Sequence, residues 1–530
     1  MLVAITTAAT AQKTGISDNQ DVTTALSTDV TILDRVPLSP ESYTVGDTTR
    51  SIEAINSPAR LLTLKYDAPS IRPLAMKRVQ PKADYKKWLK LGFGMPLQPY
   101  AEGSYTSAVG ARGVVGAYAK YHAANNSPAL DHQRFEHILA QVNGSYYIDT
   151  VAAVTARIGY KNDGVNFYGY DHNSRTYSSE QTAQRFQKIY ANLGLMNTST
   201  NDADFDYKVN LDFYNLNDSY RAREQGIVIG ADLTKWFAEK HPFNITIKND
   251  YTGYNQSDSA KFNNNIVAIP FNFTFNGDGF KVKVGANTWL TQGRFNVAPN
   301  IEGIYAISGE KLAVFGGWTG NYRKNTFASL SEYNPFIVSR PEFRNSRMEE
   351  RFLGVKGATV DLTYEVKIHN SPVENMPLYL NDSLDRRRFD VVYDTLNIFG
   401  GHANLAYRIN NTIEVGTTAD YRIFTPKKQA RAWHLPNLEG NVYVKYKPME
   451  NLTLRLDAYT GVGASYLDSQ KKTQGLNTIF DLNLGGKYQF GDNVAIFLDA
   501  NNLTNQRYQR WNQYPVLGIN FIGGVILKFK

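Results

Sequence analysis

The sequence predicts an all-β protein, a large closed transmembrane antiparallel β-barrel of about 22 strands, within a range of about 18–22, preceded by a short irregular N-terminal extension. Three observations predict this fold. Apolar and polar residues alternate with a period of two from about residue 85 to the C-terminus. Tight turns and long polar connections separate the alternating segments. No run of about 18 apolar residues, which a membrane-spanning helix needs, occurs in the chain.

The N-terminal part of the chain does not share the alternation. Residues 1–11 are apolar and resemble the end of a secretory signal, with Ala9, Thr10 and Ala11 as a small-residue cleavage site before Gln12. Residues 12–84 are rich in proline and contain two glycines, so they are predicted to be an extended segment in the periplasm or the barrel lumen. The absence of cysteine is compatible with an exported protein.

Residues 85–530 are the predicted barrel. Tyr207, Val209, Leu211 and Phe213, for example, alternate with polar residues. Backbone groups in hydrocarbon must all be paired internally, and only a closed sheet achieves this. The apolar face then contacts lipid and the polar face lines the lumen. The high aromatic content, 13% with 34 Tyr and 27 Phe, fits rings at the headgroup level. A soluble propeller would show a sequence repeat of about 40–50 residues, and none is seen.

The connections differ in length, as expected of periplasmic turns and extracellular loops. Tight turns are predicted at Asn410–Asn411, Lys447–Asn451 and Gly491–Asn493. Long hydrophilic loops are predicted at Ser199–Asp206, Asn325–Glu349 and Asn381–Arg388.

The last strand carries the predicted assembly signal. Phe529, Leu527, Val525 and Phe521 lie on one face of an alternating segment that ends one residue before the C-terminus. We expect this strand to close the barrel against the first strand, near Trp88–Leu97. The barrel assembly machinery is expected to recognise its terminal aromatic residue.

The segment before this strand resembles a known family. Asn502, Leu503, Thr504, Asn505 and Tyr508 match the pattern that precedes the terminal strand of TonB-dependent receptors. Residues 90–107 and 389–409 look like a subset of such barrels that lacks the plug domain. The resemblance covers about residues 85–530. It implies an outer-membrane barrel and says little about its cargo.

The N-terminal segment departs from that family. Its receptors carry a folded plug of well over 100 residues before the barrel, whereas about 73 residues lie between Gln12 and Asp84. We therefore predict that the plug is absent. Asp29–Leu33 faintly resembles the strand by which such receptors pair with TonB. Without a plug to move, we expect no energy coupling.

The sequence offers no catalytic constellation and no cofactor motif, so the protein is predicted not to be an enzyme. His132, Glu136 and His137 lie close together but miss the spacings of helical zinc motifs. A hydrated loop is the better interpretation.

Two further charged segments are considered for ligands. Asp202, Asp204 and Asp206 alternate like calcium ligands but lack the turn glycine and the bidentate Glu of a calcium loop. Arg386, Arg387 and Arg388 could bind lipopolysaccharide phosphates or an acidic partner, because guanidinium groups pair with phosphate. In both cases a solvated loop is the preferred interpretation.

Two functional hypotheses remain for a barrel in the outer membrane of a Gram-negative bacterium. The first is a membrane-anchored subunit or scaffold of a larger outer-membrane complex with protein partners. The second is a channel or transporter for a polar solute. Lipid and lipopolysaccharide are expected contacts, whereas a net charge of +8 over 530 residues gives no case for nucleic acid. Residues 12–84, inward-folded loops or a partner could close so wide a lumen.

Overall fold

The computed structural model describes residues 87–529, apart from residues 128, 150, 200, 202 and 257–260. The predicted signal (1–11), the predicted extension (12–84) and Lys530 lie outside the described residues. No helix in the described part of the chain has the length and apolar character needed to cross a membrane.

The described residues form strands and two short helices. The strands are β1 (Lys87–Met95), β2 (Gln98–Val109), β3 (Gly113–Asn125), β4 (Arg134–Ile148), β5 (Ala152–Asn166), β6 (Ala183–Asn197), β7 (Phe205–Asp218), β8 (Arg223–Phe237), β9 (His241–Asn255), β10 (Lys261–Ala268), β11 (Phe271–Asn276), β12 (Phe280–Thr291), β13 (Arg294–Ser308), β14 (Leu312–Arg323), β15 (Ser346–Ala358), β16 (Leu362–Asn381), β17 (Phe389–Arg408), β18 (Ile413–Pro426), β19 (Leu438–Met449), β20 (Leu452–Val462), β21 (Ser465–Leu467), β22 (Thr473–Gly475), β23 (Ile479–Phe490), β24 (Val494–Asn501), β25 (Gln509–Trp511), β26 (Tyr514–Pro515) and β27 (Asn520–Phe529). The helices are α1 (Ser179–Thr182) and α2 (Phe327–Tyr333).

A single antiparallel sheet of 23 strand segments closes on itself. Two of these segments, β10 and β11, both pair with β9 and β12, so they are halves of one interrupted strand. The interruption contains Pro270, which has no N–H to donate to a neighbouring strand. The barrel therefore has 22 strands, and the predicted fold class and strand number are confirmed.

The barrel closes between its first and last strands. β1 pairs antiparallel with β27 in a register that runs from Lys87 opposite Phe529 to Met95 opposite Phe521. Phe521, Val525 and Phe529 are exposed on the outer surface, and Leu527 shares their face by alternation. The predicted pairing with the first strand is confirmed. Recognition of these residues by the assembly machinery stays a prediction.

The outer surface of the wall is apolar. In β7 the side chains of Val209, Leu211 and Phe213 are 37–40% exposed, while the intervening polar residues face the lumen. Similar exposed apolar rows occur on the other barrel strands. This arrangement matches the predicted lipid-facing exterior and agrees with the predicted location in a Gram-negative outer membrane.

Connections at one end of the barrel are short, including residues 409–412, 450–451 and 491–493. The prediction that Ser199–Asp206 is one of the long loops is wrong, because residues 198–204 connect strands at this same end. Six barrel strands, β1–β6, precede that connection. Because successive strands are antiparallel, every connection that follows an even number of barrel strands lies at the same end as the short turns. We assign the short-turn end to the periplasm and the other end to the cell exterior.

Candidate functional site: a loop cap over a polar lumen

The inner face of the barrel wall is polar and contains many ion pairs. Inward side chains on neighbouring strands form buried pairs between Lys367 and Glu350 at 2.9 Å, His402 and Asp420 at 2.8 Å, and Arg422 and Glu439 at 2.9 Å. Such a wall suits water or a polar solute.

The exterior end of the lumen is covered by long connections that fold inward. We call residues 167–182, 324–345, 382–388, 427–437 and 502–519 together the cap. Connections 167–182, 324–345 and 502–519 share one apolar core with the adjoining ends of the wall, and aromatic rings predominate in it. Its main members are Phe167, Tyr168, Phe186, Leu216, Tyr254, Phe327, Leu330, Tyr333, Phe336, Ile337, Tyr379, Phe389, Val391, Tyr393, Trp511 and Tyr514.

This core corrects a prediction. The segment Asn325–Glu349 was expected to be a hydrophilic extracellular loop, but its apolar residues Phe327, Leu330, Phe336 and Ile337 are almost fully buried. Burying these side chains removes apolar surface from water, at about 25 cal/mol for each Å². The segment therefore folds back over the lumen.

Helix α2 is held to the wall by a buried carboxylate. Glu224, on β8, faces inward and accepts hydrogen bonds from the backbone N–H of Phe327 at 2.6 Å and of Ala328 at 3.0 Å. The Tyr214 hydroxyl donates to the same carboxylate at 2.8 Å. These N–H groups belong to the first turn after the helix cap Thr326, where backbone donors lack intrahelical partners. Glu224 thus fastens one end of α2 to the barrel.

Two ion pairs fasten the same connection elsewhere. Lys324 Nζ lies 2.6 Å from Asp250 on β9, and Lys161 on β5 lies 2.7 Å from Glu332 in α2. Burial lowers the pKa of Lys324, although the Asp250 carboxylate opposes that shift. Both pairs are partly buried, so removing one partner should cost less than the value of about 3–5 kcal/mol that is typical of a fully buried pair. These ion pairs therefore add to the apolar core in positioning the cap.

Backbone hydrogen bonds join the same connection to the β16–β17 hairpin. The N–H of Phe389 donates to Phe336 at 2.9 Å, and the N–H of Val338 donates to Phe389 at 3.0 Å. Ile337 and Phe389 form an isolated parallel bridge. The cap is thus connected by backbone to the barrel wall.

Trp511 links separate parts of the cap. Its ring centroid lies 5.4 Å from Tyr333, 5.1 Å from Tyr379, 5.7 Å from Phe389 and 5.3 Å from His434. These partners come from three other connections or the strand ends beside them. Trp511 therefore fills the centre of the cap core.

His434 is a buried, neutral member of the cap. The backbone N–H of Asn512 donates to Nε2 at 3.2 Å, so Nδ1 carries the proton and donates to the Tyr379 carbonyl at 3.0 Å. Burial lowers the pKa of His434 from 6.5 to about 4, although the bond to Tyr379 opposes the shift and the Arg510 charge adds to it.

We expect this histidine to make the cap sensitive to acid. Its pKa is higher when the cap opens, so its contribution to cap stability is complete above about pH 6.5 and is lost as the pH falls towards 4. The full loss would be about 3 kcal/mol. Limited proteolysis of the purified barrel across this range should show faster cleavage of the cap at low pH.

The variant His434→Gln is the control, because it cannot titrate in this range. Its cleavage rate should rise less between pH 6.5 and 4 than that of the unmodified chain. Equal acid sensitivity in both proteins would contradict the role of His434.

The predicted zinc candidates are not brought together. Glu136 and His137 are neighbours in β4 and therefore point to opposite faces of the wall. His137 Nδ1 lies 2.6 Å from Asp163 in the lumen, whereas Glu136 accepts a hydrogen bond from Asn162 at 3.0 Å. His132 lies in the preceding connection. The described residues contain no group of three metal-ligating side chains.

The calcium candidates occupy a short-end turn. Asp202 lies outside the described residues. Asp206 accepts hydrogen bonds from the Trp236 indole and from Asn197, each at 2.7 Å, so both oxygens of its carboxylate already have partners that stabilise the turn. Asp204 adopts a left-handed backbone with φ of 48°.

The arginine run is not the freely solvated loop that was preferred from sequence. Arg387 forms a two-pronged pair with Asp385, at 2.8 and 2.9 Å, and its guanidinium lies 4.0 Å from the Tyr177 ring centre. The Arg388 guanidinium lies 4.0 Å from the Tyr220 ring centre. Arg387 thus links two cap connections, and Arg388 links one of them to the connection between β7 and β8. Contact with lipopolysaccharide, which Arg386 and its neighbours were expected to make, stays a prediction.

The residues that carry the family resemblance build the base of connection 502–519. Asn502 is fully buried, and its side-chain amide donates to the carbonyls of Gln506 at 2.9 Å and Leu517 at 2.8 Å. The Tyr508 hydroxyl donates to Asp481 at 2.7 Å. This pattern therefore shapes the cap connection between the last two wall strands.

The barrel fold is similar to that of several solved outer-membrane receptors. The pyoverdine outer membrane receptor of Pseudomonas aeruginosa matches with a TM-score of 0.65 at 12% identity, over 84% of this chain and 78% of that chain. A variant of the ferric enterobactin receptor of P. aeruginosa gives 0.64 at 9% identity, over 84% and 81%. The ferric-catecholate import receptor of E. coli gives 0.62 at 10%, over 85% and 82%.

These likenesses establish the barrel fold, and each of the three proteins is described as a receptor. No protein-family model matches the sequence, and no curated protein matches it. The resemblance to TonB-dependent receptors drawn from the last strands is therefore confirmed at the level of the barrel.

Proposed function

We propose that the chain is an outer-membrane transporter that imports a polar solute, with the cap as its gate on the cell exterior. The observation that carries the proposal is the cap itself, which covers one end of a polar lumen and is held to the wall by a shared apolar core and by polar contacts such as those of Glu224. Releasing those contacts would expose the lumen without disturbing the strand pairing of the wall.

The solved structures that share the fold support transport over a purely structural role. One of them is an import receptor for ferric catecholates, and another was determined with bound pyoverdine. No contact among the described residues favours the predicted scaffold or subunit role. The absence of a plug domain stays a prediction, since residues 1–86 lie outside the described part of the chain.

Loosening the cap should open a conducting path. The variant Glu224→Gln removes the charge that accepts two backbone N–H groups of α2, and hydrogen bonds to a charged acceptor are each worth about 1.5–3 kcal/mol. In planar bilayers we expect its open probability to exceed that of the unmodified chain by about tenfold.

The matched control is Glu102→Gln. Glu102 is also a buried, inward-facing carboxylate and accepts from two tyrosine hydroxyls, each at 2.6 Å, but its partners Tyr100 and Tyr118 belong to the wall. The Glu102→Gln variant should have an open probability near that of the unmodified chain. Conductance that is unchanged in Glu224→Gln, or raised equally in both variants, would contradict the proposal.

A further inference from the structure

Five basic side chains gather on the lumenal wall near the periplasmic end. We call them the lumenal basic cluster: Arg408 on β17, Lys445 and Lys447 on β19, Arg455 on β20, and Lys487 on β23. Arg408, Lys445, Arg455 and Lys487 face inward, because their strand partners and alternation place them on the face opposite the lipid-exposed rows. Lys447 follows on β19, within electrostatic range of Lys445.

The register brings these residues side by side. Lys445 lies directly opposite Arg455, and Glu414 on β18 lies opposite both Lys445 and Arg408. Side chains directly opposite on neighbouring strands are about 5 Å apart at Cβ. Lys445 is also within electrostatic range of Lys447 and Arg408.

Two carboxylates share this patch, and both are engaged. Asp457 pairs with Arg455 at 2.8 Å, and Glu414 accepts a hydrogen bond from the Tyr443 hydroxyl at 2.9 Å. Lys445 itself lies between one carboxylate, Glu414, and the Arg455 guanidinium. Among the ion pairs formed between described residues, none includes Lys445 or Lys447.

Placing two cations directly opposite each other is unfavourable in a sheet. Elsewhere in the lumen the wall avoids this cost by pairing: Lys283 bonds Glu302 at 2.8 Å, and Lys367 bonds Glu350 at 2.9 Å. An anion between Lys445 and Arg455 would turn the repulsion into charge-assisted hydrogen bonds.

We propose that the lumenal basic cluster binds a small multivalent anion carrying carboxylate or phosphate groups. This inference rests on the proposed function and names the class of its polar solute. Flexible ammonium groups and a guanidinium suit several charged oxygens on one small molecule. The site lies below the cap, on the path that a solute would follow to the periplasm.

A direct binding experiment tests the site. Citrate and inorganic phosphate are titrated into the detergent-purified full chain by calorimetry, against chloride at equal ionic strength. We expect saturable binding of citrate, weakened at least about tenfold in K445Q/K447Q, because two charge-assisted contacts are lost. The charge-retaining variant K445R/K447R should keep most of the affinity.

The matched control is K281Q/K283Q on β12. These lysines have the same spacing, face the lumen near the same end, and lie on a different part of the wall. The K281Q/K283Q variant should bind citrate with the same affinity as the unmodified chain. An absence of binding beyond chloride, or an equal loss in both double variants, would overturn the inference.

A second measurement separates this inference from the proposed function. With Glu224→Gln opening the cap, a salt gradient across the bilayer should give a reversal potential that favours anions, and K445Q/K447Q should reduce that preference. A barrel that does not conduct would contradict the transporter proposal alone. A conducting barrel without anion preference would overturn the binding inference alone.

Discussion

Replacing Gly524 by alanine is expected to prevent closure of the barrel. Gly524 lies on β27 opposite Gly92 of β1, and a Cβ atom added there would overlap the Leu91 carbonyl oxygen and come within 2.6 Å of the Gly92 Cα. Both obstacles are backbone, which cannot rotate away. β1 and β27, the first and last strands of the barrel, would therefore have to separate or shift register.

Overpacking of this kind costs about 1–3 kcal/mol where it can be relieved, and a displaced first-to-last strand pairing exposes unpaired edges to lipid. We therefore expect the yield of folded barrel to fall by at least about tenfold. The measurement is the fraction that migrates as a compact, heat-modifiable band on electrophoresis without boiling.

The neighbouring residue provides a matched control. A Cβ at Gly523 meets only the Leu498 side chain at 3.4 Å and the Phe497 carbonyl at 3.6 Å, which are ordinary contacts. Gly523→Ala adds the same methyl group to the same strand and should give a normal yield. If both variants fold equally well, the register between β1 and β27 described above is wrong.

Replacing Trp511 by alanine is expected to open the cap while leaving the barrel wall folded. The indole is almost fully buried and contacts rings from three other parts of the cap and its surroundings. Loss of a buried tryptophan costs about 3–5 kcal/mol, because the remaining side chains cannot fill its volume. The open population should rise about a hundredfold or more.

Single-channel recording and limited proteolysis measure this opening. The variant should show larger or more frequent current steps and faster cleavage within the cap, with an unchanged heat-modifiable band. The control Trp318→Ala removes a tryptophan that is 41% exposed on the outer surface of β14. If the Trp511→Ala variant conducts no more current than the Trp318→Ala variant and its cap is cleaved no faster, the assignment of the cap as the gate is contradicted.

The cap reconciles a wide barrel with an intact permeability barrier. A lumen formed by 22 strands is wide enough for an aqueous channel or a plug. Loops closed by an aromatic core, with anchors such as the buried Glu224 and the partly buried Lys324, can obstruct that channel from the exterior end. Ligand binding or protonation can weaken polar anchors of this kind without breaking strand pairs.

Sequence patterns predicted the wall well because the wall obeys local rules. A period of two, set by strand geometry and by lipid on one face, is visible in any segment such as Tyr207–Tyr214. Backbone pairing in hydrocarbon then requires closure, which predicted that the strand ending at Phe529 meets the first strand. The tight turns at residues 410–411 and 491–493 followed from their polar, glycine- or asparagine-containing sequences.

The cap could not be predicted in the same way. Its residues have no period, and the polar residues around Phe327 and Phe336 suggested a solvated loop. A signal was present in the aromatic residues of segments 167–170 and 327–337, which a wet loop does not need.

The sequence by itself determined a closed, lipid-embedded barrel with a polar interior, because alternation and internal hydrogen bonding are enforced residue by residue. Only the tertiary structure decided that loops distant in the chain meet over the lumen, with Trp511 beside Tyr333 and Glu224 beneath α2. Those contacts depend on which strand ends become neighbours around the barrel, and that neighbourhood exists only after the sheet has closed.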